Sequence, residues 1–129
     1  MIEKAPNDLT ILLVEDSDDA RYFMRIELEH YGYRVIEATD GEKAVELAQQ
    51  ERPDIILMDL SLPFVDGLEA TKRIRREQDL KKVPIIAITA HQESQFRQGA
   101  AASGFDAYVT KPVDMSFLTE LITGLIVID

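Results

Sequence analysis

The chain contains no cysteine, which excludes a disulfide framework and cysteine-based zinc sites and suits a reducing compartment. It has no apolar run near the ~20 residues that a membrane-spanning helix needs, and its opening, Met1 to Asp8, lacks the apolar core of a signal peptide. Basic residues are scarce: 14 lysines and arginines stand against 24 aspartates and glutamates, a formal charge of −10. Such a deficit argues against a protein that grips nucleic acid by bulk charge. Internal repeats, low-complexity tracts and linkers are also missing, so one domain is expected. What is present is a globular balance, 46% hydrophobic and 29% charged over 129 residues, enough for one hydrophobic core and little more. These features predict a soluble, cytoplasmic, single-domain protein with no membrane insertion.

The charge is uneven. Between Thr71 and Lys82 six basic residues face two acidic ones, a local +4 within a body of −14. A solvated helix face plus loop accounts for that stretch, because no aromatic residues interleave it as in a nucleic-acid patch. The densest acidic spot is Glu15-Asp16-Ser17-Asp18-Asp19, four carboxyl groups in five positions. Like charges that close repel unless a cation sits among them.

Short β-rich apolar runs recur at Ile11–Val14, Ile55–Met58 and Ile85–Ile88, the pattern of strands buried on both faces. Arg34–Ala38 is mixed and suits an edge strand, and Ala107–Thr110 is a shorter fifth candidate. Helical patterns alternate with them. Ala20, Phe23, Met24, Leu28 and Tyr31 share one face of a first helix from about Asp18, ended by Gly32. Thr39-Asp40-Gly41-Glu42 has capping-box spacing before a second helix bearing Ala44, Leu47 and Ala48. Asp66-Gly67-Leu68-Glu69 opens a third in the same way, with Leu68, Thr71 and Ile74 inward. A weak fourth is expected over 93–103, and a fifth with Leu118, Leu121, Ile122 and Leu125 after Asp114 as N-cap. Five β-α units imply an α/β fold: a parallel sheet with right-handed crossovers and helices on both faces.

In such folds function gathers beyond the carboxyl ends of the strands. Glu15 and Asp16 follow the first strand, Asp59 the third, Thr89 the fourth and Lys111 the fifth. Singly, each reads as a helix cap, a solvated turn or a loop lysine. Together they make a phosphoryl-transfer site: acidic oxygens for a hard cation such as Mg²⁺, Asp59 as a nucleophile that forms an acyl phosphate, and Lys111 and Thr89 to steady phosphoryl oxygens.

These residues resemble the receiver domain of two-component response regulators. The likeness runs from about Leu9 to Leu125 and rests on Ile11-Leu12-Leu13-Val14-Glu15-Asp16, Pro53-Asp54-Ile55-Ile56-Leu57-Met58-Asp59, Pro63 with Asp66-Gly67, Pro84-Ile85-Ile86-Ala87-Ile88-Thr89-Ala90, and Lys111-Pro112. The resemblance implies a doubly wound, flavodoxin-like five-stranded sheet of order 2-1-3-4-5 with five helices. It divides the chain into a tail at 1–8 and a receiver domain at 9–127, with no output domain. It makes Asp59 the phosphoacceptor, Glu15 and Asp16 the acidic metal pair, the Ser61 backbone carbonyl a further Mg²⁺ ligand, and Thr89 and Lys111 the switch hydroxyl and lysine. A cis Lys111-Pro112 peptide follows from it too, and Ala90 is suitably small beside the phosphate. Tyr108 matches an aromatic switch position: its bland reading is an edge-strand ring, its functional reading a rotamer change coupled to Thr89.

The function so implied is a phosphorylation-activated switch of a phosphorelay. A histidine kinase or histidine phosphotransfer protein is the donor, meeting the first helix and the β-α loops. The surface of the fourth helix, fifth strand and fifth helix then controls a protein partner. The expected molecule is a monomer or weak dimer that binds no nucleic acid and turns over no outside substrate, so it is not an enzyme. Two other readings remain open: a haloacid-dehalogenase-like phosphatase, against which Ser61 stands where a second aspartate is required, and a phosphate-independent interaction module of the same fold. Glu15 replaces the aspartate commonest in the family. Ser61 and His91 occupy positions that influence phosphoryl lifetime, His30 reads as a surface residue, and Phe64-Val65 is a candidate docking contact.

Overall fold

A computed structural model describes residues 8–60, 62, 66–89 and 104–126. The expected helix over 93–103 lies outside those residues, as do Ser61, Pro63, Phe64, Val65, Ala90 and His91. Five strands form one sheet: β1 (Thr10–Val14), β2 (Arg34–Ala38), β3 (Ile55–Asp59), β4 (Ile85–Thr89) and β5 (Ala107–Thr110). Every pairing is parallel, and the order is β2-β1-β3-β4-β5. Between them run α1 (Asp18–His30), α2 (Gly41–Glu51), α3 (Gly67–Arg76) and a 3-10 turn at Gln78–Leu80, with a C-terminal helix (Met115–Ile126) after β5.

The continuous apolar runs follow from this order. Side chains alternate between the faces of a strand, so each run feeds two cores. Ile11, Leu13, Ile55, Leu57, Ile86 and Ile88 pack with α1 and the C-terminal helix, while Leu12, Val14, Ile56, Met58 and Ile85 pack with α2 and α3. The edge strand β2 leaves Arg34 and Glu37 exposed, as its mixed composition predicts. Helices start where short polar side chains accept from free backbone donors: Ser17 from Ala20, Asp40 from Lys43, Asp66 from Glu69 and Asp114 from Phe117. In the second helix the cap is Asp40, not the Thr39 that would begin a capping box. Gly32, at φ 101°, takes the left-handed step after α1.

Two expectations about faces change. Met24 and Leu28 of α1 are buried, but Phe23 is 67% exposed and Tyr31 also faces solvent, so the inward stripe is narrower than its periodicity suggests. The basic Thr71–Lys82 stretch is not uniformly solvated either. Arg75 turns inward and donates to the carbonyls of Leu80, Val83 and Gly104 while pairing with Asp106. Asp106 in turn accepts from the Ile85 backbone, so this one guanidinium ties α3 to the entrances of β4 and β5.

Candidate functional site

Sheet register brings the strand-end residues together. Leu13 pairs with Leu57 and Val14 with Met58, so the next step along both strands sets Glu15 beside Asp59, on the face that holds α1. Backbone bonds continue past the strands and fix these positions: Glu15 N donates to Ala38 O at 3.1 Å, Leu60 N to Ile88 O at 3.0 Å, and Lys111 N to Thr89 O at 2.8 Å. The Lys111–Pro112 peptide is cis, as the resemblance implies. Gly67, first residue of α3, sits against the end of β3. A Cβ there would collide with the Asp59 carbonyl oxygen and lie 2.9 Å from Leu60 Cα, so only glycine lets the helix start this close to Asp59.

Glu15 and Asp59 are 2% and 1% exposed, and Thr89 is likewise buried. Lys111 Nζ lies 3.1 Å from Asp59 Oδ2 and 3.6 Å from Glu15 Oε1. Asp16 is exposed at the mouth of the site, and carboxylate oxygens of Glu15, Asp16 and Asp59 lie within 4.8 Å of one another. Burial, reinforced by the charge of Asp59, raises the Glu15 carboxyl from its ordinary 4.5 to about 6, although the Ser17 N–H and Lys111 pull the other way. Burial by itself would lower the Lys111 pKa, but the hydrogen bond and charge of Asp59, with Glu15 behind it, outweigh burial and raise it.

The arrangement fits a hard divalent cation. Glu15 Oε2 accepts from Ser17 N at 3.0 Å, whereas Oε1 is buried and accepts no hydrogen bond among the described residues. A buried anionic oxygen that faces two further carboxylates with only the Lys111 ammonium 3.6 Å away is under-compensated, and a cation that takes carboxylate oxygens would offset this. Chemically, the site offers a buried carboxylate beside an ammonium, a set of oxygens of the kind a hard cation takes, and the Thr89 hydroxyl at the same strand-end edge.

Of the residues expected here, Glu15, Asp16, Asp59, Thr89 and Lys111 share this strand-end edge. Tyr108, expected as a switch coupled to this edge and not as part of it, stands on β5, 43% exposed, beside Phe117 and Leu121 of the C-terminal helix in a groove of about 500 Å³. The sequence reading missed the apposition of Gly67 to Asp59 and took the glycine for a helix opener alone. It also missed a cleft of about 290 Å³ beside Glu15 and Lys111, walled by Phe23, Met24, Pro112 and Met115. The exposed aromatic at Phe23 was its signal, hidden inside an apparently inward stripe.

A family model described as the response regulator receiver domain matches residues 11–123. The polar-differentiation response regulator DivK of Brucella anthropi is 38% identical over 117 residues, 88% of this chain and 92% of its own. Protein PilH of Pseudomonas aeruginosa is 33% identical over 116 residues, 90% of this chain and 96% of its own. Among solved structures, the receiver domain of a Pseudomonas aeruginosa sensor histidine kinase superimposes with a TM-score of 0.86 at 37% identity, over 92% of this chain and 97% of that one. Its structure has a magnesium ion coordinated in the active site cleft. The Vibrio cholerae chemotaxis protein CheY4 gives 0.86 at 29% identity, covering 91% and 98%.

The raised Glu15 pKa yields a stability prediction. Above about pH 6 the folded chain carries an anion that is easier to ionise when unfolded, so the contribution of Glu15 to stability rises as pH falls through about 6 and levels off below its unfolded value. Glu15→Gln removes that penalty while keeping an acceptor for Ser17. Without divalent cations it should stabilise the chain by about 1 kcal/mol at pH 7, a gain that shrinks toward pH 4.5. Urea unfolding across pH checks this; a variant less stable at pH 7 would contradict it.

Proposed function

The chain belongs to the response regulator receiver domain family, and from that premise we propose that Asp59 is its phosphoacceptor. The molecule is a phosphorylation-activated signalling switch. The observation that carries the assignment is a buried strand-end carboxylate with Lys111 Nζ at 3.1 Å and the Glu15 and Asp16 carboxylates close by.

In the proposed reaction an Asp59 carboxylate oxygen attacks the phosphorus of a phosphohistidine. The O–P bond forms as the P–N bond breaks, and the imidazole leaves with its electron pair and takes up a proton. Lys111, already hydrogen-bonded to Asp59, stays beside the phosphoryl oxygens and offsets their charge. Glu15, Asp16, Asp59 and the Ser61 carbonyl would hold Mg²⁺, which when bound neutralises phosphoryl charge. The buried Thr89 hydroxyl donates to a phosphoryl oxygen. Tyr108, two positions before Thr110, the β5 partner of Thr89, then changes rotamer. The surface of residues 93–103, β5 and the C-terminal helix is remodelled in consequence, and a protein partner reads it.

The donor is a histidine kinase or histidine phosphotransfer protein that docks on α1. Exposed Tyr22, Phe23 and Ile26, next to the cleft that opens on Glu15 and Lys111, support that surface. No helix among the described residues is long and apolar enough to cross a membrane. The cysteine-free composition supports a reducing, cytoplasmic setting and the acidic balance argues against nucleic-acid binding; we read the chain as a monomer or weak dimer. The chain acts on itself and turns over no outside substrate.

Acetyl phosphate with Mg²⁺ should give a hydroxylamine-labile phosphoryl adduct on the wild type and none on Asp59→Asn, read by intact mass; equal labelling of both would refute the assignment. Docking on α1 is tested separately. Phe23→Ala should slow transfer from a phosphohistidine donor protein about tenfold and leave labelling by acetyl phosphate unchanged, whereas equal transfer rates would place the donor elsewhere.

A further inference from the structure

We propose that Arg21 is a positioning residue for the Glu15–Asp16 carboxylate pair, acting through the carbonyl of the peptide that joins them. The inference rests on reading those two residues as cation ligands. Arg21 stands in the second turn of α1 with its side chain only 15% exposed. Each nitrogen of its fork has an acceptor: Nη1 donates to Glu15 O at 3.0 Å, Nη2 to Asp18 Oδ1 at 2.7 Å, and Nε to Glu37 Oε1 at 3.2 Å. One guanidinium therefore joins the first turn of α1, the edge strand β2 and the strand end that carries the acidic pair.

The carbonyl contact matters because of what already holds its neighbours. Glu15 N is bonded to Ala38 O, and Glu15 Oε2 accepts from Ser17 N. With the N–H tied to β2 and the C=O tied to Arg21, the Glu15 backbone is fixed on both sides. Rotation of the Glu15–Asp16 peptide would swing the two side chains apart, and Arg21 blocks it. The guanidinium also pairs with Asp18, whose side chain is 90% exposed and lies outside the Glu15, Asp16 and Asp59 set. Arg25 Nε lies 3.5 Å from the other Glu37 oxygen, so Glu37 faces two arginines, of which Arg21 also reaches the Glu15 carbonyl.

Charge and geometry predict opposite signs. Arg21 is a cation near a cation site, and on charge alone its removal should tighten metal binding. If it positions the ligands, removal should weaken binding. Mg²⁺ titration of the metal-free full chain by calorimetry decides between them, with folding monitored by urea unfolding. Arg21→Ala and Arg21→Lys should both weaken Mg²⁺ binding about tenfold, the scale of lost support behind a metal ligand, because lysine keeps the charge but not the fork. The ¹⁵N–¹H signals of Glu15 and Asp16 should shift in both metal-free variants. Arg25→Ala, which removes the other arginine on Glu37, should cost stability without changing Mg²⁺ affinity. Arg21→Lys carries the test if Arg21→Ala does not fold. Unchanged or tighter binding in the Arg21 variants, or equal weakening in Arg25→Ala, overturns the inference while leaving the cation site standing. A wild-type chain that takes up no Mg²⁺ overturns both.

Discussion

Glu15 and Asp59 end adjacent parallel strands with both carboxylates almost wholly out of water, and that pair of like charges is the constraint on which the site depends. Register leaves them no separation: strands paired through Val14 and Met58 must end side by side. The compensating ammonium comes from 52 residues along the chain. Asp59 and Lys111 are separated in the sheet by β4, so the cation has to reach past Thr89, and a long flexible stem does so where a shorter side chain would not. Lys111 cannot satisfy both anions equally, being closer to Asp59 than to Glu15. The oxygen left without a hydrogen bond is on Glu15, a residual imbalance that a divalent cation would relieve.

Two exposed aromatic surfaces flank this charge centre. Tyr22 and Phe23 lie on the α1 side, and Tyr108 and Phe117 on the side of β5 and the C-terminal helix. On the proposed reading the first receives the donor and the second transmits the result, with Asp59, Thr89 and Lys111 between them. The β5 side connects to the centre through the bond from Lys111 N to Thr89 O, and the α1 side through the cleft that Phe23 and Met24 share with Glu15 and Lys111. A change of charge at Asp59 therefore acts on strand ends that are already coupled, where two side-chain arrangements can exchange populations.

Much of this was legible in the sequence. Strand runs bounded by turns, helix starts at Asp66 and Asp114, and five useful groups at strand ends all follow from local pattern, because buried parallel strands and capped helices impose strong composition. The strand order came with the family resemblance, since alternation fixes parallel pairing and leaves the order open. What escaped depends on widths and distances that periodicity does not encode. Phe23 has the spacing of a core residue, yet α1 overlaps the sheet along a narrower stripe. Arg75 sits in a basic run, yet it turns inward to donate to the carbonyls of Leu80 and Val83. Gly67 and Arg21 matter through contacts with Asp59 and Glu15 that only the folded chain creates.

The central claim is that Lys111 and the buried carboxylates form one coupled charge system rather than neighbours that happen to lie close. A double-mutant cycle of Lys111→Met and Asp59→Asn, followed by urea unfolding at pH 7 without divalent cations, tests it most directly. The account predicts that Lys111→Met strands buried negative charge and destabilises the chain, and that adding Asp59→Asn recovers part of the loss, a coupling of about 1–3 kcal/mol. Effects that simply add, with the double variant no more stable than Lys111→Met alone, would contradict it.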